Sequence, residues 1–426
     1  MNWSLQGQRI VAVTWVGWLL LCGAGELLTL EKSLEIAFRE NLNLDAQTEG
    51  QKNKEALAKA AFKNMLPKLS LGTSRTDILH NTARSGSLAE TYNTTLNVSQ
   101  TLYSGGALQG SWKKSLLETR QAELNLLNEK RSLVQRVKAA WYTLLETTAL
   151  HKEAVAALER LKQHEQNAQA FYREGRFWRN EVLQAQVEVA RGEQRLIEAD
   201  NALQLAKSGL NRLLQRPLDA PVDFTGTLEW QEIPVTLEEA FAQAKANRAD
   251  LESARLGLET GQLSETITKA ALLPSVSLRA THNLDADDVH YNPNDSRESV
   301  TLNVNWDFWE WGRTSQLVEA QRAANRQTDL KFRELIETIL LEVKQVYLNT
   351  QGAAKRVQVL KQSLDQAEEN YRVNQVRYRE QLGTATDVLN AMDLLTSTRN
   401  SYTSAQAGYL TSLATLDRAT GNPVLP

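Results

Sequence analysis

Leu273-Pro274-Ser275-Val276-Ser277-Leu278 opens the stretch whose reading decides the fold, and Thr301-Leu302-Asn303-Val304-Asn305-Trp306-Asp307-Phe308-Trp309-Glu310-Trp311-Gly312 closes it. A second version lies earlier. It starts Leu66-Pro67-Lys68-Leu69-Ser70-Leu71, reaches Thr95-Leu96-Asn97-Val98, and runs through Tyr103 to Gly106. Pro67 and Pro274 stand 207 positions apart, and Leu96-Asn97-Val98 and Leu302-Asn303-Val304 stand 206 apart. Each version reads as two strands around a polar loop, followed by a very long helical pattern.

The repeat extends outward in both directions. Leu28-Thr29-Leu30-Glu31 matches Val235-Thr236-Leu237-Glu238, Tyr172-Arg173-Glu174 matches Tyr378-Arg379-Glu380, and Val182-Leu183-Gln184-Ala185 matches Val388-Leu389-Asn390-Ala391. A nearly constant offset over the whole unit argues for duplication, because chance matches would drift. No proline occurs between Pro67 and Pro217 or between Pro293 and Pro423. Interior proline breaks helices, so these are the spans where long helices can run. In the second span Phe332, Ile336, Ile339, Val343, Val346 and Thr350 follow an alternating four-three spacing, and Leu126, Lys130, Leu133, Val137, Ala140 and Leu144 hold the same places in the first. A mostly apolar 3.5-residue period makes a narrow seam for a neighbouring helix.

The expected organisation is a signal peptide at 1–25, a first unit at 26–216, a connector at 217–234, a second unit at 235–422 and an end segment at 423–426. Within the first unit the strands are expected near 68–80 and 91–104, and the helical hairpin near 106–215, its first helix running to about His164 and its turn near Gly175. The second unit has strands near 275–285 and 298–310 and a hairpin near 312–419, turning at Leu382-Gly383.

The start of the chain carries Arg9, the apolar run Ile10–Leu21 and the small residues Gly23, Ala24 and Gly25, the layout of a secretory signal. Cys22 is then lost with the signal; its other reading is a lipidated cysteine, which the leucine directly before it fits poorly. The chain has 426 residues, a net charge of −3, five histidines and one cysteine. That balance gives no basic face for nucleic acid, and the count excludes a thiol-ligated metal site or a disulfide framework. No Ser/His/Asp set, HExxH or glycine-rich phosphate loop is present, so no enzyme, cofactor or metal site is expected. His290 near His282 reads as part of a solvated acidic loop, Asp285–Asp295.

Beyond residue 30 charges interrupt every apolar run, so no segment is expected to span a membrane as a helix. Strands give a different signal. From Ser299 to Trp309 the even positions Val300, Leu302, Val304, Trp306 and Phe308 are apolar, and the odd ones are Ser, Thr, Asn and Asp up to Asp307. Val276, Leu278, Ala280, His282 and Leu284 alternate more weakly, as do Tyr92–Leu102 and Leu69–Thr73. Tyr103, Trp306, Trp309 and Trp311 ring the apolar ends. An apolar outer face, a polar inner face and an aromatic girdle suit a transmembrane barrel; a half-buried sheet packed on helices would show the same alternation. Strands in lipid must close, and four cannot, so a membrane reading requires several chains to share one barrel.

Thr-Leu-Asn-Val before an aromatic-Gly pair, the Tyr-Arg-Glu…Asp-Val-Leu-Asn-Ala run and the duplication together resemble the TolC family of outer-membrane efflux proteins, from Leu28 to Pro423. The resemblance implies a mainly α fold with transmembrane β: a homotrimer with a shared twelve-stranded barrel and an α-helical periplasmic tunnel. It implies a passive exit duct in the outer membrane of a Gram-negative-type bacterium, serving a tripartite efflux or type I secretion system. Its partners would be outer-membrane lipid, a periplasmic adaptor (membrane fusion protein) and an inner-membrane transporter. The alternative is a periplasmic adaptor or structural coiled-coil protein without a barrel, against which the second hairpin speaks. On the same resemblance Asp387 sits where the family's entrance ring has an aspartate, Tyr378 matches a tyrosine that latches the closed state, and Asn390 replaces a second aspartate. Gly175, Gly383 and Thr384 are the expected adaptor-contact residues, on the ground that tight hairpin turns need glycine.

Overall fold

The computed structural model describes residues 27–77, 90–176, 178–286 and 296–422. The expected signal with Cys22, residues 81–89, His290 and the 423–426 end lie outside the described residues. Two passes along the chain give the same string of elements. The first is α1 (Leu30–Glu40), α2 (Leu42–Lys63), β1 (Lys68–Asp77), β2 (Glu90–Tyr103), α3 (Ala107–Arg173) and α4 (Arg179–Leu213). The second is α5 (Leu237–Asn247), α6 (Ala249–Ala270), β3 (Ser275–Ala286), β4 (Ser296–Asn305), α7 (Arg313–Arg379) and α8 (Ala385–Thr420). α1 and α5 each have 11 residues, α2 and α6 each 22, and α3 and α7 each 67. Duplication therefore reaches the element boundaries. α3 runs on to Arg173, past the expected His164, which makes it about 100 Å long at 1.5 Å per residue.

Two helices precede each Leu-Pro. Asn41 leaves the helical region at φ −76°, ψ 114°, and its own side chain accepts from the amides of Asn43 and Leu44, so it ends α1 and caps α2. Arg248 makes the matching break at φ −68°, ψ 120°. Upstream of it a Thr236–Glu239 capping box starts α5.

The chain divides into two compact units. One holds residues 27–39, Val137–Trp230 and Val359–Gly408; the other holds Glu40–Arg136, Gln231–Gln358 and 409–422. The four-three stripe is the buried one: Leu133, Val137 and Leu144 on α3, and Ile339, Val343 and Thr350 on α7, are buried. In the second unit Ile339 and Val343 pack with Ala240, Ala244 and Ala419. Arg248 pairs there with Asp250 and Glu342, each at 2.6 Å, and Glu342 also meets Arg418 at 2.9 Å. In the first unit the connector returns to its own helices. Leu28 bridges Phe224, Phe224 stands edge-on to Trp141 at 6.0 Å, and the Asn211 amide donates to the carbonyls of Leu218 and Ala220.

One antiparallel sheet in the order β1-β2-β3-β4 belongs to the second unit. Its register aligns the alternating positions across all four strands. Leu71 faces Leu96 and Leu96 faces His282; Val98 faces Ala280 and Ala280 faces Val300; Leu278 faces Leu302 and Val276 faces Val304. The other face carries polar pairs, with Thr281 donating to Asn97 Oδ1 at 2.8 Å and Asn93 donating to Asp285 Oδ1 at 2.5 Å. The apolar face is bare in the single chain: Leu71 and Val300 are each 73% exposed. Contiguous exposed apolar surface marks an interaction surface.

One strand boundary departs from expectation. β4 ends at Asn305, not near residue 310, because Asn305 pairs with Ser275, the first residue of β3, and Pro274 before it has no amide to continue the ladder. Trp306–Glu310 follows outside any strand.

Candidate functional site

The two hairpin turns lie in the first unit, and the sequence sites gather around them. Both turns use the same backbone device. α3 ends with Arg176 N–H donating to the Phe171 carbonyl (2.9 Å) and Gly175 N–H to that of Tyr172 (2.9 Å). α7 ends with Leu382 N–H donating to Arg377 (2.7 Å) and Gln381 N–H to Tyr378 (3.1 Å). These paired bonds close a helix through one left-handed residue. That residue is Gly175 in the first turn (φ 72°) and Gln381 in the second (φ 64°). A tight turn needing glycine was expected at Gly383; the left-handed residue is Gln381, two positions earlier. Gly383 is closely approached instead, since a Cβ there would stand 3.3 Å from Arg377 Cβ.

Thr384 and Asp387 start α8 as a capping box. The Thr384 amide donates to Asp387 Oδ2 at 3.0 Å, the Thr384 hydroxyl donates to the same oxygen at 2.8 Å, and the Asp387 amide donates back to Thr384 Oγ1 at 3.1 Å. The bonds from Thr384, aided by Arg377, hold the Asp387 carboxyl below the ordinary carboxylate range. In the chain by itself this group stays ionised and resists proton uptake. Asp387 and Asn390 are both exposed and lie three residues apart on α8, so one side of the helix presents them together.

Tyr378 goes elsewhere. It is 3% exposed and sits in the core formed by Leu161, Ala385, Val388, Leu389 and Met392, with Phe171, Val189 and Tyr371 at its edge. The His164 ring lies 5.1 Å from the Tyr378 ring and the Phe171 ring 6.0 Å. Burial, with Glu181 nearby, pushes the phenol up to about 12. His164 is as buried as Tyr378; its Nε2 has no hydrogen-bond partner among the described residues, and burial lowers the imidazole to about 4. Burial also raises the Glu181 carboxyl.

Sequence reasoning missed this group and a second one. The Glu153 carboxylate, buried on α3, receives Arg160 at 2.5 Å and Arg399 of α8 at 3.0 Å; Arg160 also reaches Thr396 at 3.2 Å, and Arg399 pairs with Glu368 of α7. Three helices are thus tied through one desolvated carboxylate, and partners 246 residues apart leave no local signal. His164 did leave one: it lies on the stripe of Leu158, Leu161 and Ala168, three or four residues from each neighbour.

The expected interface aromatics are exposed in the single chain, Tyr103 at 44%, Trp306 at 56%, Trp309 at 68% and Trp311 at 88%. Trp309 and Trp311 stand edge-on at 5.6 Å, and Trp306 Nε1 donates to the Leu272 carbonyl at 3.1 Å. Trp311 holds a left-handed backbone (φ 52°), unusual for so large a residue. Among the described residues no helix is long and apolar enough to cross a membrane, and no group of three or more His, Cys, Asp or Glu is placed to hold a metal ion.

Comparison with known proteins agrees with this architecture. The alkaline protease secretion protein AprF of Pseudomonas aeruginosa is 22% identical over 391 residues, covering 85% of this chain and 77% of that protein. The pyoverdine export outer membrane protein OpmQ of the same organism is 23% identical over 424 residues, covering 95% and 85%. The crystal structure of the outer membrane protein VceC from Vibrio cholerae superposes with a TM-score of 0.80 at 19% identity, covering 93% of this chain and 97% of that one. The sequence profile described as outer membrane efflux protein matches twice, over residues 34–215 and again over 240–422. The two repeats read in the sequence are two copies of that profile, and the chain belongs to the outer membrane efflux protein family.

Proposed function

We propose that three copies of this chain close their four-stranded sheets into one twelve-stranded barrel in the outer membrane and serve as a passive exit duct. The observation that carries this reading is the sheet itself, with one apolar and one polar face and two edge strands, β1 and β4, that have no outer neighbour among the described residues. Such a sheet is viable in lipid only when its edges are paired. Tyr103, Trp306, Trp309 and Trp311 then lie at the membrane boundary, where amphipathic rings settle.

The long hairpins form the periplasmic wall, and their turns meet the periplasmic adaptor through which an inner-membrane transporter supplies the energy. Exposed apolar residues at these turns, Trp178 at 81% and Leu382 at 71%, support a partner there beside Gly175, Gly383 and Thr384. Asp387, with Asn390 beside it, lines the entrance and repeats threefold. A ring of carboxylates at a narrow mouth favours cations. Tyr378 supports that entrance from within the hairpin core. The duct performs no chemistry, and cargo is chosen by the transporter; the two Pseudomonas relatives carry names for different cargoes, alkaline protease and pyoverdine.

In planar bilayers Asp387→Ala is expected to raise single-channel conductance and weaken block by divalent cations; unchanged conductance and block would remove Asp387 from the entrance. Thr384→Cys is expected to cross-link to a co-expressed adaptor, and the absence of any adduct would remove the turn from the contact.

A further inference from the structure

Duplication gives every contact of α3 a counterpart address on α7. Within the second unit α3 packs against both α2 and α6. α2 covers one side, with Lys54 at 3.1 Å from Glu118 and the Phe62 ring at 5.4 Å from Trp112. α6 covers the other: Gln121 Nε2 donates to the Ser253 carbonyl at 2.9 Å, next to Gly257, where an added Cβ would stand 3.6 Å from that amide. Beside them Leu124, Ala249 and Leu256 form a buried cluster. α7 has a neighbour of the first kind, α6, through Arg322 and Glu265 at 3.0 Å.

Among the described residues the second kind of contact is absent from α7, yet part of its residue set is retained, with Glu49 standing in the place of Leu256. Gln327 occupies the position of Gln121, and Gly50 on α2 that of Gly257; Leu330 stands for Leu124 and Leu42 for Ala249. Leu124 and Ala249 are 8% and 3% exposed, whereas Leu330 and Leu42 are 63% and 67% exposed. A Cβ at Gly50 would meet nothing within 4 Å. Charges carry over as well: Glu252 feels the field of Arg120, and their counterparts are Asp45 and Arg326.

We infer that α7 of one copy docks on α2 of the next copy in the register that α3 keeps on α6. Gln327 donates to the Ala46 carbonyl of the next copy beside its Gly50, and Leu330 buries against its Leu42. The same rule sets the strand register. β2 meets β3 with Val98 opposite Ala280 and Gln100 opposite Leu278, so β4 meets the next copy's β1 with Val304 opposite Thr73 and Trp306 opposite Leu71. This also explains an asymmetry in the single chain. β2 reaches Tyr103 because β3 supplies partners for Gln100, Thr101 and Tyr103; the partners of Trp306 to Trp309 belong to another molecule. The seam rests on the trimeric reading and adds to it the residues and the register.

Gly50→Leu is the discriminating substitution, because the chain's own fold has room for it. In detergent extracts it is expected to lower the trimer fraction at least about tenfold, equivalent to a loss of about 1.4 kcal/mol in association, while helical circular dichroism is unchanged. Cys22 is the chain's one cysteine, so the pair Ala46→Cys with Gln327→Cys reports cleanly and is expected to give disulfide-linked dimers and trimers on non-reducing gels. A wild-type chain that is monomeric overturns the duct reading itself. A trimeric wild type whose Gly50→Leu variant is equally trimeric, with the 46/327 cysteines still reduced, overturns this seam alone.

Discussion

The two hairpin turns occupy matching positions in the duplicated units and share one backbone closure, yet their side chains diverge. Tyr172 and Tyr378 are counterparts: the first is 46% exposed and the second 3%. Glu181 and Asp387 are counterparts too. Thr384 gives Asp387 a capping partner and holds it ionised at the surface. Trp178 stands in the place of Thr384, caps nothing with its side chain, and leaves Glu181 drawn toward the Tyr378 core with its carboxyl raised. The second hairpin thus supplies most of the packed core and the exposed charge, and the turn of the first carries bulky exposed surface. Duplicated backbone geometry tolerates divergent side-chain roles because the closing hydrogen bonds are main-chain bonds.

The contrast can be broken most strongly at the tyrosines. Tyr378→Ala empties a buried aromatic site and is expected to destabilise the hairpin core by about 3–4 kcal/mol, whereas Tyr172→Ala should stay within about 0.5 kcal/mol. Thermal melting of the two variants side by side checks this, and equal shifts would erase the difference. Next in size is His164. Its folded value of about 4 lies below its ordinary 6.5, so the unfolded chain binds the extra proton between these limits. Stability from the neutral buried ring is fully present above pH about 6.5 and is lost as pH falls toward about 4, by about 3 kcal/mol in total. Melting curves over that range should show the loss in the parent and a flatter profile in His164→Gln.

Smaller effects sharpen the comparison of caps. Thr384→Ala removes the hydroxyl that starts α8 and should cost about 1 kcal/mol, while Trp178→Thr should stabilise the first hairpin by a similar amount. Amide exchange in the first turn of α4 and of α8 reads both. Smallest is Gln381→Gly, which relieves a left-handed glutamine and should stabilise by about 0.5–1 kcal/mol; Gly175→Ala should shift stability the opposite way.

Much of the fold was legible because it is periodic. The four-three stripe on α7, from Phe332 to Thr350, marks the buried side, and Ser299–Asn305 alternates as the sheet does, since burial acts on residues at fixed spacing. Boundaries that depend on a partner were not legible. β4 stops at Asn305 although its alternation runs to Trp309, because strand length is set by the neighbour as much as by the strand. The hairpin site was half legible. Asp387 and Thr384 sit in a local S/T-x-x-acid signature and are where a reader would look. Glu153 with Arg399, and His164 against Tyr378, arise only when distant segments meet. Gly383 was expected as a turn glycine; what crowds it is Arg377 six residues earlier, and the left-handed position falls on Gln381.

All of these contrasts take on functional meaning only if the open sheet edges close between copies. Electron cryo-microscopy of the detergent-extracted protein tests that claim most directly. The account predicts a threefold particle with a closed barrel in which β4 continues to Trp309 along β1 of the neighbouring copy, Trp306 opposite Leu71. A particle of one copy, or an assembly whose β1 and β4 edges remain unpaired, would contradict it.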